Sequence, residues 1–409
     1  MKKFFAVTLG VLTAIGGFVD IGDLVANAEA GARFRMNLAW VVVVGVIGII
    51  VFAEMAGRVA ALSQRPVFDL VRERLGPGFG LVNLFASFFV NFLTLTAELA
   101  GVAIAISLVA SVHYILVIPV AGFLVWLVIW RMPFETMERI FGLAGLALVV
   151  FAVAVAKTSP DWGHLFSQVA HPSVPSDETP FTYAYFGIAL FGAAMTPYEV
   201  FFFSSGAVEE GWTRADLNIE RANVFIGFPL GGLLSLSIMA VSHIVLAPRH
   251  VSVDALSQVA LPVAAVVGKL GLAAVLLGIF AATFGAALET ALSAGYTVAQ
   301  YLGWGWGKYV RPSDAARFHT LVLLAILAGV LFGLSGVDPV KVTEYSIVLS
   351  AAALPLTYFP ILVVANDPAY VGERTNGRLL NALGTVYLLI LVAVSVATIP
   401  LMIITKAGA

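Results

Sequence analysis

A chain of 409 residues that is 60% hydrophobic and 11% charged, with a mean hydropathy of +0.99, falls far below the roughly 25% charge of an average soluble domain. Its 22 Lys and Arg and 24 Asp and Glu cannot clothe a soluble fold of this size, so lipid is its natural solvent. A net charge of −2 without a basic stripe leaves nucleic acid no footprint, and the lack of cysteine excludes disulfides, thiolate metal sites and Cys nucleophiles.

Crossing about 30 Å of hydrocarbon at 1.5 Å per residue takes about 20 apolar residues. Eleven such spans are predicted, at 5–31, 38–62, 79–111, 114–131, 138–157, 181–207, 221–247, 270–302, 317–335, 340–365 and 380–404. The fold class is an all-α polytopic membrane protein, read as one transmembrane domain over 1–409. With the N-terminus in the cytoplasm, 15 of the 22 Lys and Arg fall on the inner side. Short inner loops should carry that excess, so the expectation is a plasma-membrane protein with its N-terminus cytoplasmic and its C-terminus extracytoplasmic. Lys2, Lys3, an apolar run and Ala26-Asn27-Ala28 imitate a secretory signal. Cleavage is not expected, because Asp20 and Asp23 interrupt the apolar run.

In the first span, Gly16-Gly17-Phe18-Val19-Asp20-Ile21-Gly22-Asp23 places two acids where an aspartate costs roughly 2.5–3.5 kcal/mol at the bilayer centre. They need a cavity, a counter-charge or protons. Asp20 and Asp23 are spaced i, i+3 and share a face if helical, and Gly22 between them weakens the helix.

In the sixth span, Phe191-Gly192-Ala193-Ala194-Met195-Thr196-Pro197-Tyr198-Glu199 carries a proline that lacks a backbone donor and clashes with the preceding turn. The helix should break just before Pro197. Carbonyls from Ala193 to Thr196 then lose their intrahelical partners, which lipid tolerates only where they line a cavity or meet an ion. Two broken helices at equivalent positions of five-helix halves point to an inverted-repeat transporter with its site at the midplane. Carboxylates facing the carbonyl ends of half-helices make a cation site and would repel an amino-acid carboxylate.

Asp20-Ile21-Gly22-Asp23, followed by Ala30-Gly31-Ala32 and Trp40, resembles the first-helix pattern D-P-G-N, A-G-A and W of the Nramp family of divalent-metal transporters. The resemblance continues at Glu54 and Arg58, at Ala97-Glu98 and Gly101, and at Leu354-Pro355, and so covers essentially the whole chain. It implies a LeuT-like fold, a 5+5 inverted repeat plus an eleventh helix with helices 1 and 6 discontinuous, working by alternating access.

Departures from the family pattern sharpen the expectation. Where members that move manganese and iron have A-x-x-M-P-H, this chain has Ala193-Ala194-Met195-Thr196-Pro197-Tyr198, so Thr196 stands where a thioether should contact the metal. An all-oxygen site with carboxylates suits hard ions, whereas sulfur favours transition metals. Asp23 in place of Asn adds charge in the same direction, and Met195 next door is a potential source of sulfur. The helix 3 Asp of the family is Leu95, its helix 6 His is Tyr198 and its helix 10 Gln is Ala353, which removes the usual proton relay. These losses resemble the Nramp-related magnesium transporter branch, which implies Mg²⁺ movement without proton coupling.

The expected metal site is therefore Asp20, Asp23, the Ala193 carbonyl and Thr196. Met195, Tyr198 and Glu199 are further contacts or neighbours, Gly22 and Pro197 are the helix-breaking residues, and Glu98 and Glu289 are pathway acids. The transported divalent cation, Mg²⁺ or Mn²⁺, is the substrate; no resident cofactor and no obligate protein partner is indicated. Glu54 and Arg58, spaced i, i+4, read as an ion pair, and His164, His171 and His243 as ordinary polar residues. The competing readings are a proton-coupled Mn²⁺/Fe²⁺ symporter and an intramembrane aspartyl protease. Against the protease, both aspartates belong to one short motif rather than to two helices.

Overall fold

Backbone amides in hydrocarbon must find partners within their own segment, which confines so apolar a chain to helices. The computed structural model describes residues 18–408, apart from the side chains of Phe134, Glu135 and Glu138, and contains no strand among the described residues. The first half comprises α1 (Ile21–Phe34), α2 (Ala39–Ser63), α3 (Pro77–Ala110), α4 (Tyr114–Arg131) and α5 (Arg139–Lys157). The second comprises α6 (Pro180–Ala194), α7 (Pro197–Glu209), α8 (Phe228–Val245), α9 (Lys269–Leu302), α10 (Ala316–Leu334) and α11 (Pro339–Val364), and α12 (Arg378–Ile404) follows. Ten helical segments among the described residues are long and apolar enough to cross a bilayer, and they match the second to eleventh predicted spans. Of the first, residues 5–17 lie outside the described residues and α1 is what remains.

Proline sets several of the starts. Pro77, Pro180, Pro197 and Pro339 open α3, α6, α7 and α11, where a missing N–H costs nothing because the first-turn donors are unpaired anyway. The segment leading into α8 is less regular than its hydropathy suggests: a short helix Leu217–Ala222 passes through a π turn at Asn223–Gly227. The outer loop predicted over 158–180 holds a helix, Trp162–Ala170, capped by Asp161, whose side chain accepts from the His164 amide. Between α2 and α3, the helix Val67–Leu75 carries surface charge. There Arg65 bonds both Asp69 and Glu73, and its hydrogen bond holds the exposed Glu73 carboxyl below the usual carboxylate range.

Close approaches at small residues fix how the helices meet. α1 lies along α8 with Gly31 directly against the Met239 backbone, leaving no room for a side chain. α3 and α9, both 34 residues long, run against one another through the interior. Ile347 of α11 wedges between α1 and α6, where a Cβ on Gly22 would lie 3.0 Å from its side chain and one on Gly192 2.7 Å from its carbonyl oxygen. Leu116, Leu331, Val396 and Ile403 face outward, as expected of side chains that meet lipid tails.

Candidate cation site

The first break is local. The backbone leaves helical conformation at Val19 and Asp20 and re-enters at Ile21. Asp20 caps α1, with Oδ1 accepting from the Asp23 amide at 2.9 Å. An acid at an N-cap satisfies an otherwise unpaired donor and faces the positive end of the helix dipole. Gly22 itself is helical; its role is steric, since a Cβ there would sit 2.9 Å from Asp20 Oδ1. The neighbouring amide of Ile21 donates to Glu98 Oε1 at 3.0 Å. Glu98 on α3 thereby anchors the start of α1 from 77 residues away.

Asp23 is held from two sides. Asn27 Nδ2 and Ser235 Oγ, the latter from α8, donate to its Oδ1 at 2.9 and 3.1 Å, while Oδ2 is buried without a partner among the described residues. Neither Asn27 nor Ser235 stood out in the sequence. Asn27 carried a weak signal, one turn after Asp23 on the same face. Ser235 is one of several serines in an apolar span and carried none.

The second break separates α6 from α7 at Met195 and Thr196. Because Pro197 has no N–H, the Ala193 carbonyl loses its i+4 partner. Thr196 caps α7 in position only: its hydroxyl donates to Glu199 Oε2 at 3.2 Å rather than accepting from an amide. The Met195 sulfur is turned against Gly48 of α2, at the place where Tyr387 of α12 also packs. Across the gap, the Tyr198 hydroxyl donates to Asp20 Oδ2 at 3.1 Å, so the two breaks are joined by a hydrogen bond.

Around this junction gather Asp20, Asp23, Glu98, Glu199 and Glu289, none more than 8% exposed. Hydrogen bonds tie Asp20, Asp23, Glu98 and Glu199 to the residues of the two breaks, and Ser293, one turn from Glu289, reaches the Tyr198 carbonyl. Among the described residues none of the five has an ion-pair partner; the arginines pair instead with Glu29, Glu54, Asp69, Glu73, Glu178 and Asp367. Buried carboxylates without a counter-charge are costly, and a cation or protons must offset them. No three His, Cys, Asp or Glu side chains among the described residues are grouped to hold a metal ion by themselves. An ion here would complete its shell with carbonyl, hydroxyl or water oxygens. The Glu54–Arg58 pair lies elsewhere, buried and tied by Arg58 to the Arg374 carbonyl and Asn376.

Comparison with known proteins agrees with this architecture. The family model of the natural resistance-associated macrophage protein-like proteins, Nramp, matches residues 10–400. The divalent metal cation transporter MntH of Erwinia tasmaniensis is 24% identical over 408 residues, covering 96% of this chain and 94% of that protein. MntH of Pectobacterium carotovorum subsp. carotovorum is 23% identical over 391 residues, covering 93% and 90%. Among solved structures, a mutant of the manganese transporter of Eremococcus coleocola superposes with a TM-score of 0.70 at 18% identity, covering 98% of this chain and 94% of that one. Mhp1, a nucleobase-cation-symport-1 family transporter in a closed conformation with bromovinylhydantoin bound, does so with a TM-score of 0.60 at 16% identity, covering 97% and 92%. These likenesses establish the LeuT-like fold, with discontinuous first and sixth helices. With the family model spanning nearly its whole length, the chain belongs to the Nramp family and is a multi-pass membrane transporter, not an enzyme.

Proposed function

We propose that this protein moves a divalent cation across the plasma membrane by alternating access, that the cation is Mg²⁺ with Mn²⁺ also accepted, and that protons are not coupled to it. The observation that carries the reading is the group of five buried acids around the two breaks with no basic partner among the described residues. Divalent-metal transport is also what the names of the MntH relatives state, and manganese is the metal named for the Eremococcus coleocola structure. Asp20, Asp23, the Ala193 carbonyl and Thr196 are the proposed ligands. All are oxygens, and a hard ion that keeps several waters suits so few direct ligands. Tyr198 supports the absence of proton coupling: the group bonded to Asp20 is a phenol, which holds its proton through the physiological range. The excess of Lys and Arg in alternate loops supports a cytoplasmic N-terminus and an extracytoplasmic C-terminus.

The test is reconstitution into liposomes, with Mg²⁺, Mn²⁺ and Ca²⁺ influx recorded alongside internal pH. Mg²⁺ flux without acidification is expected. Acidification in step with metal influx would overturn the uncoupled mechanism, and Mn²⁺ influx that excess Mg²⁺ leaves untouched would favour a transition-metal carrier.

A further inference from the structure

The two halves match residue by residue around their breaks. Asp20 caps α1 and Thr196 caps α7, so the first turns align as Ile21-Gly22-Asp23 on Pro197-Tyr198-Glu199, with an acid third in each helix. The long helices carry acids at similar depths, one residue out of register: Glu98 is the 22nd residue of the 34-residue α3, and Glu289 the 21st of the 34-residue α9. Glu199 is thus the counterpart of Asp23, and Glu289 lies within one residue of the position equivalent to Glu98.

One difference between the halves frees a ligand. Glu98 is engaged by the Ile21 amide at 3.0 Å. The equivalent residue in the second half is Pro197, which has no amide hydrogen to donate. The Glu289 carboxylate accordingly has no hydrogen bond among the described residues, although the residue is only 8% exposed. Its face of α9 meets the start of α7: Ser293, one turn on from Glu289, contacts the Tyr198 carbonyl at 3.4 Å. Neither Glu289 nor Glu199 has a basic partner among the described residues. The Thr196 hydroxyl donates to Glu199 Oε2 at 3.2 Å.

We propose that Glu289 and Glu199 hold a second hydrated divalent cation, on the opposite side of the breaks from the Asp20–Asp23 pair. In an inverted repeat α1 and α7 lead away from the centre in opposite directions, so Asp23 and Glu199 lie on opposite sides of it. The two positions are successive stations of one pathway. This rests on the cation-transport reading above and adds to it a second ion and two ligands.

Counting bound Mn²⁺ by electron paramagnetic resonance, on the full chain in nanodiscs at high ionic strength, tests the proposal. Two Mn²⁺ per chain are expected, both displaced by Mg²⁺, falling to one in Glu289→Gln and to one in Glu199→Gln. A single Mn²⁺ in the unaltered protein overturns the proposal, and so do two retained in either variant; the count in the unaltered protein decides even if neither variant assembles. Asp20→Ala separates this proposal from the one it rests on. Loss of one ion together with loss of flux supports the Asp20–Asp23 site. Two ions and undiminished flux in Asp20→Ala sink that site, whereas unchanged counts in the glutamine variants sink only the second.

Discussion

The hydroxyl of Tyr198, second residue of α7, donates to Oδ2 of Asp20, the cap of α1, at 3.1 Å. The bond ties together the broken helices of the two repeats, and its donor is a phenol rather than an imidazole. Replacing it tests both properties. Tyr198→Phe removes a hydrogen bond worth about 0.5–1.5 kcal/mol, so Mg²⁺ flux in liposomes should change by two- to tenfold with no new pH dependence. Tyr198→His puts an imidazole beside Asp20. Below its pKa of about 6.5, or higher if Asp20 stabilises the imidazolium, the added positive charge opposes a cation. Flux in that variant should fall as pH drops through this window, while the unaltered protein stays level.

Asp23 offers a second carboxylate with Oδ2 unpartnered among the described residues and Oδ1 already held by Asn27 and Ser235. Asp23→Asn keeps an oxygen for those donors and removes the charge. Mg²⁺ gives up its water reluctantly and depends on ligand charge more than Mn²⁺ does. The apparent affinity for Mg²⁺ should drop by about tenfold, or about 1.4 kcal/mol, and that for Mn²⁺ by less. Competition of each ion against a fixed Mn²⁺ tracer gives both numbers, and an equal loss for the two ions would remove charge from the account of selectivity.

Thr196 occupies the break ahead of Pro197, while the neighbouring Met195 sulfur packs against Gly48. Thr196→Met places a thioether at the break itself. A soft ligand raises affinity for Mn²⁺ and more strongly for Cd²⁺ at the expense of Mg²⁺. Isothermal titration should show Cd²⁺ binding strengthened and Mg²⁺ binding weakened. If Cd²⁺ binding does not change, residue 196 does not face the ion.

The break in the sixth span was legible because proline acts locally: the missing N–H of Pro197 decides where α6 ends whatever surrounds it. The break in the first span was legible only to within a few residues. Gly22 drew attention as the flexible residue, yet it is helical, and the non-helical positions are Val19 and Asp20. What decides that detail is the capture of the Ile21 amide by Glu98, a contact between residues 77 apart that no local pattern encodes. Ser235 was invisible for the same reason. Its hydroxyl matters only because α8 is pressed against α1, which depends on the absent side chain of Gly31.

That approach supports the last prediction. A Cβ on Gly31 would overlap the Met239 carbonyl oxygen and crowd its backbone, and buried backbone within α8 cannot move aside as a side-chain tip can. Overpacking of this kind typically costs about 1–3 kcal/mol, and here the displacement would also draw Ser235 away from Asp23, four and eight residues from the clash. Gly31→Ala should therefore lower both the melting temperature in detergent and the affinity for Mg²⁺. Addition of Mg²⁺ should restore part of the lost stability, since an ion that binds only the folded state stabilises it by mass action. A variant with unchanged melting and unchanged affinity would mean that α1 and α8 are not locked together at Gly31, and that Ser235 reaches Asp23 without help from that contact.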